Sequence, residues 1–163
     1  MKKMHLLIAL LLLAVGSVSA QVNLSKIQLK STDGKVVKFS EVIGKGKPVV
    51  LSFWATWCKP CISELEAISE VYDDWKDEAD FEFYAISIDD SRSYSKVKSL
   101  ANGKAWPFEV LLDDKHELKQ MLGLNSVPFM MIFDKKGNVA HKHLGYTPGS
   151  EENIFDELLE LNK

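Results

Sequence analysis

Hydrophobic and polar positions along this chain switch repeatedly between two periods. Val49 to Trp54 (VVLSFW) is short and nearly all apolar, as a strand buried on both faces should be. Phe81 to Ile88, Phe108 to Leu112 and Phe129 to Phe133 are further β-branched and aromatic runs of strand length. Between them the period lengthens. From Lys59 to about Trp75 the apolar residues Ile62, Leu65, Ile68, Val71, Tyr72 and Trp75 are spaced for one face of a helix. Helices are also predicted from a Ser93 cap to about Ala101, from Lys115 to Leu122 before Gly123, and from a Ser150 cap to about Leu161.

Two hairpins bracket this alternation. Ile27 to Leu29 and Val36 to Phe39 flank the turn residues Ser31-Thr32-Asp33-Gly34. Val139 to Leu144 returns antiparallel after Lys135-Lys136-Gly137-Asn138. Strand–helix–strand order implies parallel strands joined by crossovers, with the closing hairpin adding an antiparallel part. The expected fold is one α/β domain, a mixed central sheet flanked by helices.

The N-terminus follows another logic. Met1-Lys2-Lys3 is basic, Leu6 to Val15 is an apolar run, and Val18 and Ala20 stand at the −3 and −1 places of a cleavage site. That is the pattern of a secretory signal peptide over residues 1–20, leaving a folded domain over residues 21–163. The apolar run is about half of what a spanning helix requires. With no cysteine at Gln21, a lipid anchor is not expected. The protein is therefore expected to be periplasmic or secreted.

Composition narrows the chemistry. At 46% hydrophobic residues the chain can fill a core, which excludes disorder. A net charge of −3 gives no footprint for nucleic acid. There are two cysteines, Cys58 and Cys61, too few and too close for a disulfide scaffold. In an oxidising compartment such a pair reads as chemistry rather than stapling.

Cys58 and Cys61 follow a buried strand and open a helix. Unpaired N–H groups and the helix dipole at that end stabilise a thiolate. Lys59 adds positive charge beside it, and Pro60 suits the first helical turn. The Cys58 thiolate can attack a disulfide, and Cys61 can then resolve the mixed disulfide. Half of a zinc site is the bland alternative. It lacks partners, because His141 and His143 are one residue apart on a strand and are expected to face solvent. No metal or cofactor is expected beyond the redox-active Cys58–Cys61 disulfide.

The stretch Ser52 to Cys61 (SFWATWCKPC) closely resembles the active-site strand and turn of the thioredoxin family, and Ser126-Val127-Pro128-Phe129 resembles its cis-proline loop. The signal-like N-terminus, the first hairpin and an extra segment over about residues 90–112 resemble the exported TlpA/ResA-like branch. The resemblance implies a thioredoxin-like fold with an N-terminal β-hairpin and a central insertion. It also implies a cis Pro128, with Val127 offering its backbone to an extended substrate and Trp57 contacting substrate at the rim. Ser52 stands where thioredoxin carries a buried aspartate. In the ResA-like branch a glutamate three residues after the second cysteine serves the thiols, and Glu64 holds that place. Positions i and i+3 share a helix face, so Glu64 can lie near Cys61 and relay its proton; Glu66 falls on another face.

The activity so implied is reduction of disulfides in other exported proteins, including apocytochrome c during cytochrome c maturation. A membrane electron donor of the DsbD or CcdA kind would recharge the protein, which is expected to be a monomer. A disulfide-forming oxidase or isomerase, and a thiol-based copper chaperone, remain as alternatives.

Overall fold

The computed structural model describes residues 26–163; the expected signal peptide lies outside the described residues. Seven strands form one mixed sheet: β1 (Gln28–Ser31), β2 (Val36–Lys38), β3 (Val49–Trp54), β4 (Glu82–Ser87), β5 (Glu109–Leu112), β6 (Phe129–Phe133) and β7 (Val139–Leu144). Their spatial order is β2-β1-β5-β4-β3-β6-β7. The pairs β3–β4 and β4–β5 are parallel and the others antiparallel.

Among the described residues five α-helices accompany the sheet: α1 (Phe39–Val42), α2 (Lys59–Glu78), α3 (Tyr94–Lys104), α4 (Glu117–Met121) and α5 (Glu151–Asn162). All six residues of β3 are buried, which requires cover on both faces. On one face α2 lies between two neighbours. Lys104 of α3 pairs with Glu66, and Phe155 of α5 stacks on Trp75 with ring centroids 5.2 Å apart. Phe39 and Val42 of α1 and Leu118 of α4 are buried as well. Trp54 is fully buried and meets Trp106 edge-on at 5.1 Å.

The segment over residues 90–112 is part of the sheet. It supplies α3 and β5, and β5 carries the N-terminal hairpin through Lys30–Leu112 and Ser31–Leu111 pairing. The Tyr94 hydroxyl donates to the Thr32 carbonyl at 2.7 Å, and Lys30 pairs with Asp114 at 2.6 Å. Hairpin and insertion are thus one structural unit.

Local details depart from the sequence reading. Ser93 and Ser150 occupy helix starts, yet neither side chain caps. Asp90 caps a 3₁₀ turn over Ser91–Ser93 instead, accepting from the Arg92 N–H. At α5 the Glu151 carboxylate accepts from the Gly149 N–H at 3.0 Å. The Arg92 N–H lies in the turn before α3 and the Gly149 N–H before α5, so neither carboxylate supplies the missing serine cap. Nor do His141 and His143 face open solvent: both lie against Glu157 of α5, at 3.2 and 2.7 Å, because that helix folds back over β7.

Candidate active site

The end of β3 feeds a tight turn, in which the Cys58 N–H donates to the Ala55 carbonyl at 3.0 Å. Cys58 is the N-cap of α2, with extended backbone, and its carbonyl accepts the first helical bond from Ile62 at 3.2 Å. Pro60 falls within the first turn, where it removes no intrahelical bond. Cys58 and Cys61 are joined as a disulfide. Cys58 is 5% exposed and Cys61 0%, so the first cysteine is the one closer to solvent. Lys59 and Pro60 are exposed beside them, and Trp57 is 65% exposed. Exposed Trp57, expected at the rim, and exposed Lys59 and Pro60, expected to tune the thiols, thus stand beside a pair of largely buried cysteines.

The Val127–Pro128 peptide bond is cis. Phe129 opposes Phe53 across β6 and β3, which sets Pro128 beside the end of β3, next to the turn bearing Cys58. The Pro128 carbonyl accepts from the Gly145 N–H at 2.9 Å, tying this loop to the end of β7. Gly145 has φ +80°, a conformation that favours glycine. Val127 is half-buried, and among the described residues its backbone N–H and C=O have no partner.

Glu64, in the second turn of α2, is only 2% exposed. The Ser52 hydroxyl donates to its Oε2 at 3.2 Å across the α2–β3 interface. Burial raises its carboxyl from the usual range to about 7, opposed by the Ser52 hydrogen bond and reinforced by the Glu151 carboxylate. A group that titrates near neutrality one turn from Cys61 is suited to proton transfer. Glu66 points to α3 instead and forms its ion pair with Lys104.

One residue of this site escapes sequence reasoning. Asp89 follows β4 and is 4% exposed. It accepts from the Thr56 N–H and the Thr56 hydroxyl, both at 2.8 Å, and from the Ser87 hydroxyl at 2.9 Å. Thr56 lies two residues before Cys58, so a buried carboxylate braces the reactive turn from the neighbouring strand. The available signal was an aspartate directly after an apolar parallel strand, at the sheet end where the cysteines lie. Among the described residues no three His, Cys, Asp or Glu side chains are grouped to hold a metal ion.

The site is a cysteine pair at a helix start, with a buried carboxyl one turn further on and a free backbone edge. Comparison with known proteins agrees with this arrangement. The model of the AhpC/TSA family matches residues 21–142. A thiol-disulfide oxidoreductase ResA of Bacillus thuringiensis (strain Al Hakam) is 30% identical over 113 residues, spanning 69% of this chain and 62% of that protein. The chain thus aligns with under two thirds of that relative's length. A solved thioredoxin-like protein from Porphyromonas gingivalis is 41% identical with a TM-score of 0.73, covering 83% of this chain and 89% of that one. A putative thiol:disulfide interchange protein DsbE from Chlorobium tepidum is 25% identical with a TM-score of 0.72, covering 84% and 93%.

Proposed function

From the premise that this chain belongs to the AhpC/TSA family, and is thioredoxin-like in fold, we propose that it is an exported thiol–disulfide oxidoreductase that reduces disulfides of other exported proteins. The observation that carries the reading is the Cys58–Cys61 pair at the start of α2, one turn from a buried Glu64. The names of the ResA and DsbE relatives support the reaction type.

In the reduced protein the Cys58 thiolate attacks one sulfur of a substrate disulfide. The substrate S–S bond breaks, a Cys58–substrate disulfide forms, and the other substrate sulfur leaves as a thiolate that takes a proton from solvent. Glu64, as carboxylate, then accepts the proton of Cys61. The Cys61 thiolate attacks Cys58, the Cys58–Cys61 bond forms, and the second substrate sulfur is released and protonated. Two electrons have passed from the dithiol to the substrate. Helix-terminal N–H groups and Lys59 stabilise the Cys58 thiolate. Substrate lies extended along the free Val127 backbone, beside Pro128 and Trp57, in the manner of an added strand.

Oxidised protein must be recharged, and we assign that step to a membrane donor of the DsbD or CcdA kind. Apocytochrome c before haem attachment is a fitting substrate, since its cysteines must be reduced. The test is turnover of a protein disulfide such as insulin's by the residue 21–163 protein with a thiol reductant supplied. Wild type should reduce it, and Cys58→Ser should lose essentially all activity. Undiminished activity in Cys58→Ser would overturn the proposal.

A further inference from the structure

Asp89 braces the cysteine turn, but it stands in the loop after β4, and that loop is itself held from another element. Ile88, the residue before Asp89, donates its N–H to the Trp54 carbonyl at 2.9 Å. The Ile88 carbonyl lies 2.8 Å from Nε2 of His116, the residue that opens α4. A carbonyl only accepts, so Nε2 carries the hydrogen and donates it. Among the described residues that carbonyl has no other partner.

His116 holds this place against its backbone preference. Its φ of 58° and ψ of 25° lie in the left-handed region, which a residue with a side chain enters only at a steric cost. The corner around it is fixed by hydrogen bonds. The His116 N–H donates to the Asp113 carbonyl at 2.9 Å, and the buried Asp113 carboxylate accepts from the Leu118 and Lys119 N–H groups at 3.2 and 2.7 Å. The Asp113 N–H in turn donates to the Ser87 carbonyl at 2.9 Å. Glycine would adopt this backbone without penalty, but it would bring no ring. A strained residue that the surrounding structure keeps in place, with its ring on the loop behind the reactive turn, points to a role at that turn.

We propose that His116 is a positioning residue for Cys58: its ring fixes the Ile88–Asp89 segment, which through the Asp89–Thr56 bonds holds the turn that presents the nucleophile. The path is short. It runs from the ring to the Ile88 carbonyl, across one peptide to Asp89, and from its carboxylate to the Thr56 N–H and hydroxyl, both at 2.8 Å, two residues before Cys58. The loops it crosses follow β5, β4 and β3, which are neighbouring parallel strands, so the restraint spans one end of the sheet. His116 acts through Asp89 and not on the sulfurs. Nε2 bears a hydrogen in this neutral tautomer and in the imidazolium alike, so the restraint holds in both protonation states. A turn released from it would hold the first N–H groups of α2 less firmly beside Cys58, and the thiolate would be less favoured. The proposal rests on Cys58 being the nucleophile, as given above.

Alkylation of the reduced protein by iodoacetamide at neutral pH, with the labelled cysteine identified by mass spectrometry, tests this directly. Wild type should be labelled first at Cys58. His116→Gly and His116→Ala should each slow that labelling about threefold while circular dichroism shows the fold intact. His116→Gln sets an amide N–H at the reach of Nε2 and should restore most of the rate that alanine loses. Asp89→Ala should also be slow, and adding His116→Gly to it should slow labelling no further, because both act on one path. Wild-type labelling in His116→Gly would overturn the proposal even with His116→Ala slow, since the backbone and not the ring would then be responsible. A His116→Gln protein as slow as His116→Ala, or additive losses in the double variant, would overturn it as well. First labelling at Cys61 in wild type would instead remove Cys58 as the nucleophile, and the positioning role with it.

Discussion

Two buried carboxylates flank the reactive turn, and they differ in how they are hydrogen-bonded. Asp89 receives three donors, two from Thr56 and one from Ser87. Glu64 receives one, from Ser52, and keeps an oxygen free on a cleft. Burial alone does not determine what an acid does. A carboxylate saturated with donors is a brace, whereas one left short of donors is held near its protonation point and can move a proton. The cysteine turn sits between a carboxylate rich in donors on the β4 side and one with a single donor on the α2 side.

The largest effect should come from removing the brace. Asp89→Ala leaves the Thr56 N–H and hydroxyl without their partner, and should cost about 3 kcal/mol of stability in denaturant titration. Disulfide reduction should fall with it, and Asp89→Asn should restore much of both. A stability unchanged in Asp89→Ala would show that the turn holds itself.

Glu64 should behave in the opposite way. Its folded carboxyl titrates near 7, against 4.5 for the ordinary group. The raised value favours the protonated form in the folded state. That contribution to stability is complete below about 4.5, and it is lost as the pH rises through 7. The loss amounts to about 3 kcal/mol across that window. Wild-type protein should therefore be more stable at pH 5 than at pH 8, and Glu64→Gln should flatten the difference. A pH-independent stability difference between the two proteins would contradict the burial assigned to this carboxyl.

Ser52→Ala should have a smaller and directional effect. The hydrogen bond it removes favours the carboxylate, so the Glu64 titration should move to higher pH, as read from the pH profile of disulfide reduction. Glu66→Gln should do least, because its partner Lys104 is a solvent-exposed lysine worth well under about 1 kcal/mol. Its pH profile should match wild type.

Much of this site is local in sequence, which is why the cysteine pair, Pro60 and the helix they open were legible without coordinates. The strand Val49–Trp54 was equally plain, since a continuous apolar run leaves little choice of structure. Glu64 was singled out by the resemblance and supported by helical spacing, but its hydrogen-bond partner Ser52 lies twelve residues earlier on another element. The serine that replaces thioredoxin's aspartate is thus the hydroxyl that binds the displaced carboxylate. Asp89 was not legible. Its partner Thr56 is 33 residues away, and only parallel pairing of β3 with β4 brings their ends together. The histidines of β7 were misread for a similar reason: strand alternation put them on one face, but nothing local showed that Glu157 would cover it. Helix caps failed at shorter range: Ser93 and Ser150 stand at helix starts, but neither hydroxyl takes a helix N–H.

The most direct test of the division between nucleophile and resolving cysteine is mass spectrometry of Cys61→Ser protein after reaction with a protein disulfide. The expected product is a stable mixed disulfide at Cys58, absent from Cys58→Ser protein. Adducts that form equally well without Cys58, or a Cys61→Ser protein that turns over freely with no trapped intermediate, would contradict it.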